Sequence, residues 1–150
     1  MIVDSSAIVA ILQAELGAEV FARLISDAPI VRMSAATYVE LGVVMDRTGD
    51  PVLSGTLDRF LEEARVVIEP FTASQARLAR DAYRHFGKGT GHPARLNMGD
   101  CFAYALARDL GEPLLFKGDD FRLTDIEIVT EPIRHKRLSE VVAAYGVGAP

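Results

Sequence analysis

The 150-residue chain is 49% hydrophobic and 25% charged, the composition of one folded globular domain, which excludes a disordered chain. Its formal net charge of −5 at pH 7 provides no overall basic field, so a polyanionic substrate would need bound cations or a local basic patch. The single cysteine, Cys101, excludes a disulfide framework and a cysteine-based zinc site. No apolar run reaches the ~18 residues of a membrane span. These two observations predict a soluble cytoplasmic domain without membrane contact.

Short apolar segments alternate along the chain with segments of helical periodicity. In the first half, the predicted elements are a strand at Met1–Val3, a helix from Ser5 or Ser6 through Gln13, a helix at Leu16–Asp27, a strand at Ile30–Arg32, and a helix capped by Ser34 that runs to about Arg47. In the second half, they are a helix containing Leu57 to Ala64, a strand at Val66–Ile68, a helix containing Ala79 to Phe86, a helix from Gly99 or Asp100 to Leu110, and strands at Leu114–Phe116 and Ile126–Val129.

This alternation predicts a three-layer α/β/α domain with a mainly parallel central sheet. No repeat, low-complexity tract or linker divides the chain, so we expect a single domain over residues 1–150. Its core would extend to about residue 130, and residues 131–150 would form a C-terminal helix and tail. In such sheets, ligands bind at the carboxyl ends of the strands. Asp4 ends the first strand, so this edge is the expected place for a site.

Three segments each contain a single charged side chain, and in each case it is a carboxylate. They are Asp4 within Met1–Ala14, Glu40 within Met33–Met45 and Asp100 within Leu96–Ala107. Because these segments are otherwise apolar, we expect the acids to be largely buried. Burial of an ionised carboxylate without a partner is unfavourable by several kcal/mol of free energy. A hard divalent cation, Mg²⁺ or Mn²⁺, would stabilise them together with the Asp119–Asp120 pair. The three histidines lack metal-ligand spacing, which disfavours zinc.

Each acid taken alone also has a purely structural interpretation. Asp4 would end a strand or cap a helix, and Asp100 would lie in a first helical turn, stabilised by the helix dipole. Glu40 would extend from a half-exposed helix or pair with a distant arginine. The Asp119–Asp120 pair follows a glycine in a sequence typical of a turn. Their combination at strand ends and helix starts favours one shared site.

Four segments in this order resemble the PIN-domain family, and within it the VapC-type toxins of bacterial toxin–antitoxin pairs. They are Met1–Ala7, Ser34–Glu40, Gly99–Ala107 and Pro113–Phe121, and the resemblance extends from Met1 to about Val129. It implies a PIN-like fold and an endoribonuclease that cuts single-stranded regions of RNA with one or two Mg²⁺ or Mn²⁺ ions, leaving 5′-phosphate and 3′-hydroxyl ends. It also implies a homodimer and a cognate antitoxin as partners.

The resemblance assigns site residues one by one. Asp4, Glu40 and Asp100 match three of the family's four acids, with Asp4 and Asp100 as the metal ligands nearest the ion. The fourth acid falls on Asp119 or Asp120, and Asp120 is the better match. The resemblance therefore implies a catalytic quartet of carboxylates, in which one position has two candidates.

A glycine-rich loop over Phe86–Asn97 leads towards Asp100. Its basic residues Lys88 and Arg95 would contact the RNA backbone beside the acidic pocket, or would serve only as solvated charges, and both interpretations stay open. The loop is not a phosphate-binding P-loop, because Gly89 follows Lys88 where that motif needs Ser or Thr.

Two other functions are compatible with an acidic pocket in an α/β fold. A receiver-like phosphoacceptor domain requires an acidic pair after the first strand, whereas Asp4 is followed by Ser5 and Ser6. In the PIN resemblance, Ser6 instead matches a small hydroxyl position that would orient Asp4. The other alternative is a metal-binding module without turnover. Our prediction is a Mg²⁺-dependent endoribonuclease that acts as the toxin of a toxin–antitoxin pair.

Overall fold

The centre of the fold is a sheet of four short strands. The structure is a computed structural model and describes residues 1–49 and 51–130. The strands are β1 (Ile2–Val3), β2 (Val31–Ser34), β3 (Val66–Glu69) and β4 (Leu114–Leu115). They run parallel in the order β3-β2-β1-β4. Ile2 lies opposite both Arg32 and Leu114, so β1 is an interior strand.

The prediction of a last strand at Ile126–Val129 is wrong. In the part of the chain that the structure describes, this segment makes one isolated parallel bridge to Leu114. The Leu114 N–H donates to the Glu127 carbonyl at 2.9 Å, and the Val129 N–H donates back to the Leu114 carbonyl at 2.9 Å. Because β4 is only two residues long, it offers too short an edge for a further strand.

Six helices and one short 3₁₀ helix connect the strands within the described residues. They are α1 (Ser5–Leu12), α2 (Ala18–Asp27), α3 (Ala35–Asp46), α4 (Pro51–Glu63), α5 (Ala73–Phe86), α6 (Met98–Leu110) and the 3₁₀ helix Asp120–Leu123. The start of α6 lies before the predicted Gly99 or Asp100, because Asn97 caps the helix. None of these helices combines the length and the hydrophobicity needed to cross a bilayer. The helix and tail predicted for residues 131–150 lie outside the described residues.

Helices cover both faces of the sheet, because successive residues of a strand point to opposite sides. Ile2 and Leu114 face a core that also contains side chains of α5 and α6. Val3 and Leu115 face a second core, to which α1, α2, α3 and α4 contribute. The predicted three-layer architecture with a mainly parallel sheet is therefore confirmed. The Asp4 N–H donates to the Leu115 carbonyl at 2.9 Å, which places Asp4 beside the segment that follows β4.

Candidate active site

Asp4 lies at the carboxyl end of β1 and caps α1. Its Oδ2 accepts hydrogen bonds from the Ser6 N–H at 2.9 Å and from the Ser6 hydroxyl at 2.6 Å. The residue is 2% exposed, and its Oδ1 is buried without a hydrogen-bond partner among the described residues. Burial raises the pKa of this carboxyl, although the bonds from Ser6 oppose the shift. A buried carboxylate oxygen without a donor is well suited to bind a cation.

Ser6 connects Asp4 to the neighbouring strand. Its hydroxyl proton goes to Asp4 Oδ2, and its oxygen accepts a hydrogen bond from the Lys117 N–H at 3.0 Å. The Lys117 ammonium is paired with Glu15. The Ser6 hydroxyl is thus held from both sides, and it fixes the orientation of the Asp4 carboxylate, as the sequence predicts for this position.

Asp100 lies in the first turn of α6, where its carboxylate and Asn97 form a reciprocal capping box. Asp100 Oδ2 accepts from the Asn97 N–H at 2.7 Å, and Asn97 Oδ1 accepts from the Asp100 N–H at 2.9 Å. The pKa of Asp100 is raised to about 7. Burial is the largest cause, and the negative charges of Asp4, Asp120 and Glu40 add to it, whereas the hydrogen bond from Asn97 lowers the pKa. The structure therefore brings these four carboxylates, which we call the acidic cluster, into one neighbourhood.

Glu40 projects from α3 towards the first turn of α6. A Cβ atom built on Gly99 would collide with both carboxylate oxygens of Glu40. Burial and the negative charge of Asp4 raise the pKa of Glu40. At Gly99, α6 therefore approaches the Glu40 carboxylate so closely that any side chain there would displace the carboxylate. From the sequence alone, Gly99 is predicted only as a possible start of the helix.

Of the two candidates for the fourth acid, the structure brings only Asp120 to the acidic cluster. Asp120 begins the 3₁₀ helix, and its charge contributes to the raised pKa values of Asp4 and Asp100. The Asp119 side chain is 92% exposed, and its Oδ1 lies 3.3 Å from Arg122 Nε in a surface ion pair. The interpretation of Asp119 as the fourth acid therefore has no geometric support, because its side chain points into solvent.

The expectation that the acids would be largely buried holds fully for Asp4 only. Glu40 and Asp100 are half-buried, and Asp120 is exposed, so the acidic cluster opens to solvent on one side. Within residues 1–49 and 51–130, no three His, Cys, Asp or Glu side chains are already arranged as a ligand set for one ion. Even so, the unpaired Asp4 Oδ1 and the raised pKa values fit a divalent cation, because its charge would relieve both burial and mutual repulsion.

The two basic residues predicted to bind substrate lie on paired backbone segments, and one of them lines a cavity. Lys88 lies on a cavity between α5 and α6, and its N–H donates to the Leu96 carbonyl at 2.8 Å. Arg95 is exposed, has a left-handed backbone with φ of 53°, and does not line that cavity. A role in substrate contact is thus better placed at Lys88 than at Arg95.

The side chains around the acidic cluster offer no activated nucleophile among the described residues. The Ser6 hydroxyl donates to the Asp4 carboxylate, and not to a histidine or lysine that could activate it. Cys101 is buried, and burial followed by the charge of Asp100 raises the pKa of its thiol to about 12, so it stays protonated at neutral pH. The arrangement is therefore suited to chemistry in which water attacks an anionic substrate near a carboxylate-bound cation.

This fold is that of a PIN domain. The PIN-domain family model matches residues 1–127, so the chain belongs to that family. Within it, the chain groups with the VapC ribonucleases: it is 55% identical over 127 residues to ribonuclease VapC28 of Mycobacterium tuberculosis, a match that covers 85% of this chain and 96% of that protein. The family resemblance predicted from the sequence is confirmed.

Solved structures agree on the fold. The crystal structure of Mycobacterium tuberculosis VapC20, described as a toxin that cleaves the sarcin–ricin loop, superposes with a TM-score of 0.63 at 22% identity, covering 86% of this chain and 98% of that one. A chain of a toxin–antitoxin complex from Klebsiella pneumoniae superposes with a TM-score of 0.58 at 15% identity, covering 80% and 88%. At these identities the superpositions support the fold alone.

Proposed function

We propose that this protein is a Mg²⁺-dependent endoribonuclease that cuts single-stranded regions of RNA, with Mn²⁺ as the alternative ion. The main support is the acidic cluster. In it, buried Asp4 has an oxygen without a hydrogen-bond partner, and the negative charges of the other three acids raise the pKa of Asp100. The names of the relatives, which are ribonucleases at 55% identity, support RNA as the substrate. Family membership leaves the receiver-like alternative without support.

Asp4 and Asp100 would hold the ion, because Asp4 has a buried oxygen without a hydrogen-bond partner and Asp100 is repelled by the charges of the other three acids. When bound, the ion supplies charge neutralisation at the phosphodiester and lowers the pKa of the attacking water. Ser6 keeps the Asp4 carboxylate oriented through its two hydrogen bonds. Glu40 would accept a proton from the water, since its raised pKa brings it closer to the operating pH of a general base. The products would carry 5′-phosphate and 3′-hydroxyl ends.

We extend the proposal to a toxin that is inhibited by a cognate antitoxin. Among the exposed apolar side chains, Leu16 after α1 is 97% exposed, and Val39 and Val43 of α3, the helix that carries Glu40, are 62% and 51% exposed. Exposed apolar groups of this kind are typical of protein-binding surfaces. The resemblance to the VapC-type toxins implies the same kind of partner. A homodimer stays a prediction of the family resemblance.

The function is tested by mapping RNA ends after incubation of an RNA pool with Mg²⁺ and three proteins: wild type, Asp100→Asn and Asp119→Asn. We expect wild type to cut RNA and Asp100→Asn to be at least about a hundredfold slower, because a ligand carboxylate is lost. Asp119→Asn is the matched control and should cut at the wild-type rate, since Asp119 is exposed and paired with Arg122. Mg²⁺ binding by wild type without cleavage of any RNA would instead show a metal-binding module.

A further inference from the structure

We propose that the cavity between α5 and α6 binds one unstacked base of the RNA strand, next to the phosphate that is cut. This inference rests on the proposed function and assigns it a base-binding subsite. The cavity, which we call the α5–α6 cavity, has a volume of about 510 Å³, within the range of small-molecule sites. Its lining includes Phe71, Tyr83 and Phe102 together with Arg80, Lys88 and Asn97.

The walls of the α5–α6 cavity have the chemistry that single-stranded nucleic-acid sites use. The rings of Phe71 and Phe102 pack edge to face, with centroids 5.1 Å apart. The Tyr83 hydroxyl donates to the Lys88 carbonyl at 3.0 Å, which fixes the Tyr83 ring at the cavity wall. Bases stack on such aromatic side chains with little dependence on sequence. A base can enter only when it is unstacked from its neighbours, which would restrict cleavage to single-stranded RNA.

The charge of the α5–α6 cavity is complementary to RNA, although the whole chain carries a net charge of −5. Arg80 and Lys88 are among its lining residues, and no carboxylate is. In the described ranges, neither cation forms an ion pair with a carboxylate. Both are exposed and so are available to contact the phosphates attached to a bound base.

The α5–α6 cavity and the acidic cluster lie beside the same first turn of α6, on different faces of that helix. Met98, Cys101 and Phe102 have the spacing of one helical face and line the cavity. Gly99 and Asp100 lie between them in sequence and face the acids instead. Asn97, the capping partner of Asp100, also lines the cavity. A base held there would keep its own phosphate at the helix end that carries Asp100.

The test fills the α5–α6 cavity from its solvent side. Ala76 is exposed and lines the cavity, so Ala76→Phe would occupy the base position without disturbing the core. Ser74→Phe is the matched control, because Ser74 is exposed on α5 about 200° away around the helix and does not line the cavity. The substrates are an oligonucleotide with a mapped cut and a series in which each nucleotide in turn is made abasic.

For wild type and Ser74→Phe, we expect one abasic position beside the cut to lower kcat/KM by about tenfold. Ala76→Phe should be about tenfold slower on the intact oligonucleotide and insensitive to that abasic position. Lys88→Met should keep the melting temperature of wild type and reduce the slope of log Kd against log salt by about one, as expected for one lost phosphate contact. That variant tests the subsite even if Ala76→Phe fails to fold.

Equal abasic sensitivity in wild type and folded Ala76→Phe would overturn the inference, as would an unchanged salt slope in Lys88→Met. The oligomeric state of Ala76→Phe is measured by light scattering. If the substitution converts a dimer to a monomer while the abasic position still lowers kcat/KM, the inference is overturned and the cavity is a contact between copies. A wild-type protein that cuts no RNA would refute the proposed function itself, and the inference with it.

Discussion

Gly99→Ala is expected to leave the protein folded and to slow RNA cleavage by about a hundredfold. The added methyl group would occupy the place of the Glu40 carboxylate. The helix backbone is rigid and the Glu40 side chain is flexible, so Glu40 would move. Displacement of a reacting group by about 1 Å can cost about 10²-fold in rate. Alanine is more favourable than glycine in a helix by about 1 kcal/mol. The melting temperature of Gly99→Ala should therefore stay close to that of wild type while the cleavage rate falls.

Two further variants make this result specific. Gly55→Ala is the matched control, because Gly55 is also helical and a Cβ there meets nothing within 4 Å; it should keep wild-type activity. Glu40→Asp shortens the side chain by one methylene and should lower activity by itself. Combined with Gly99→Ala, it should add little further loss, since the collision is removed. Full activity of folded Gly99→Ala, or strictly additive losses in the double variant, would contradict the close approach of α3 and α6 at this site.

Without divalent ions, stability is expected to fall as the pH rises from about 4 to about 7. Burial and the neighbouring acids raise the pKa of Asp100 from 3.8 to about 7, and the pKa values of Asp4 and Glu40 are raised too. In this window the folded state binds more protons than the unfolded state, so the free energy of unfolding decreases as pH increases. Mg²⁺ binds the deprotonated carboxylates, and it should therefore raise the melting temperature more at pH 8 than at pH 5.

The contribution of Asp100 is isolated by melting Asp100→Asn and wild type at both pH values without metal. At pH 8 the variant should melt at the higher temperature, because it lacks the repelled charge and its amide oxygen can still accept the bond from Asn97. At pH 5 the two should melt closely together, since Asp100 is then protonated. Asp119→Asn should track wild type throughout. A lower melting temperature of Asp100→Asn at pH 8 would mean that the acidic cluster is not under repulsion.

The positions of the acids were predictable because each charge stands alone in an apolar segment. Asp4, Glu40 and Asp100 meet as expected, since parallel strands and the helices that follow them share one edge of the sheet. The family resemblance favours Asp120 over Asp119, whereas residue patterns alone do not separate them, because both follow Gly118 in the same turn. The structure separates them, because the Asp119 side chain is 92% exposed and paired with Arg122, whereas the charge of Asp120 acts on Asp4 and Asp100.

The role of Gly99 could not be predicted, because it depends on the distance between two helices that are far apart in sequence. The cap at Asn97 did carry a signal, since Asn followed by Asp three residues later has the spacing of a capping box. The extent of burial around Glu40 was overestimated. The apolar sequence around it includes Val39 and Val43, which are themselves exposed, and apolar composition alone does not distinguish a core from a binding surface.

The central claim is that Asp4, Glu40, Asp100 and Asp120 together serve one site for a divalent ion, and crystals grown with Mn²⁺ test it directly. Anomalous diffraction at the manganese edge should show a peak about 2.1 Å from carboxylate oxygens of Asp4 and Asp100, the distance typical of hard divalent ions of this size. Asp100→Asn crystals under the same conditions should lose most of that peak. Saturating Mn²⁺ with no peak at the acidic cluster, or a peak of equal height in Asp100→Asn, would contradict the account.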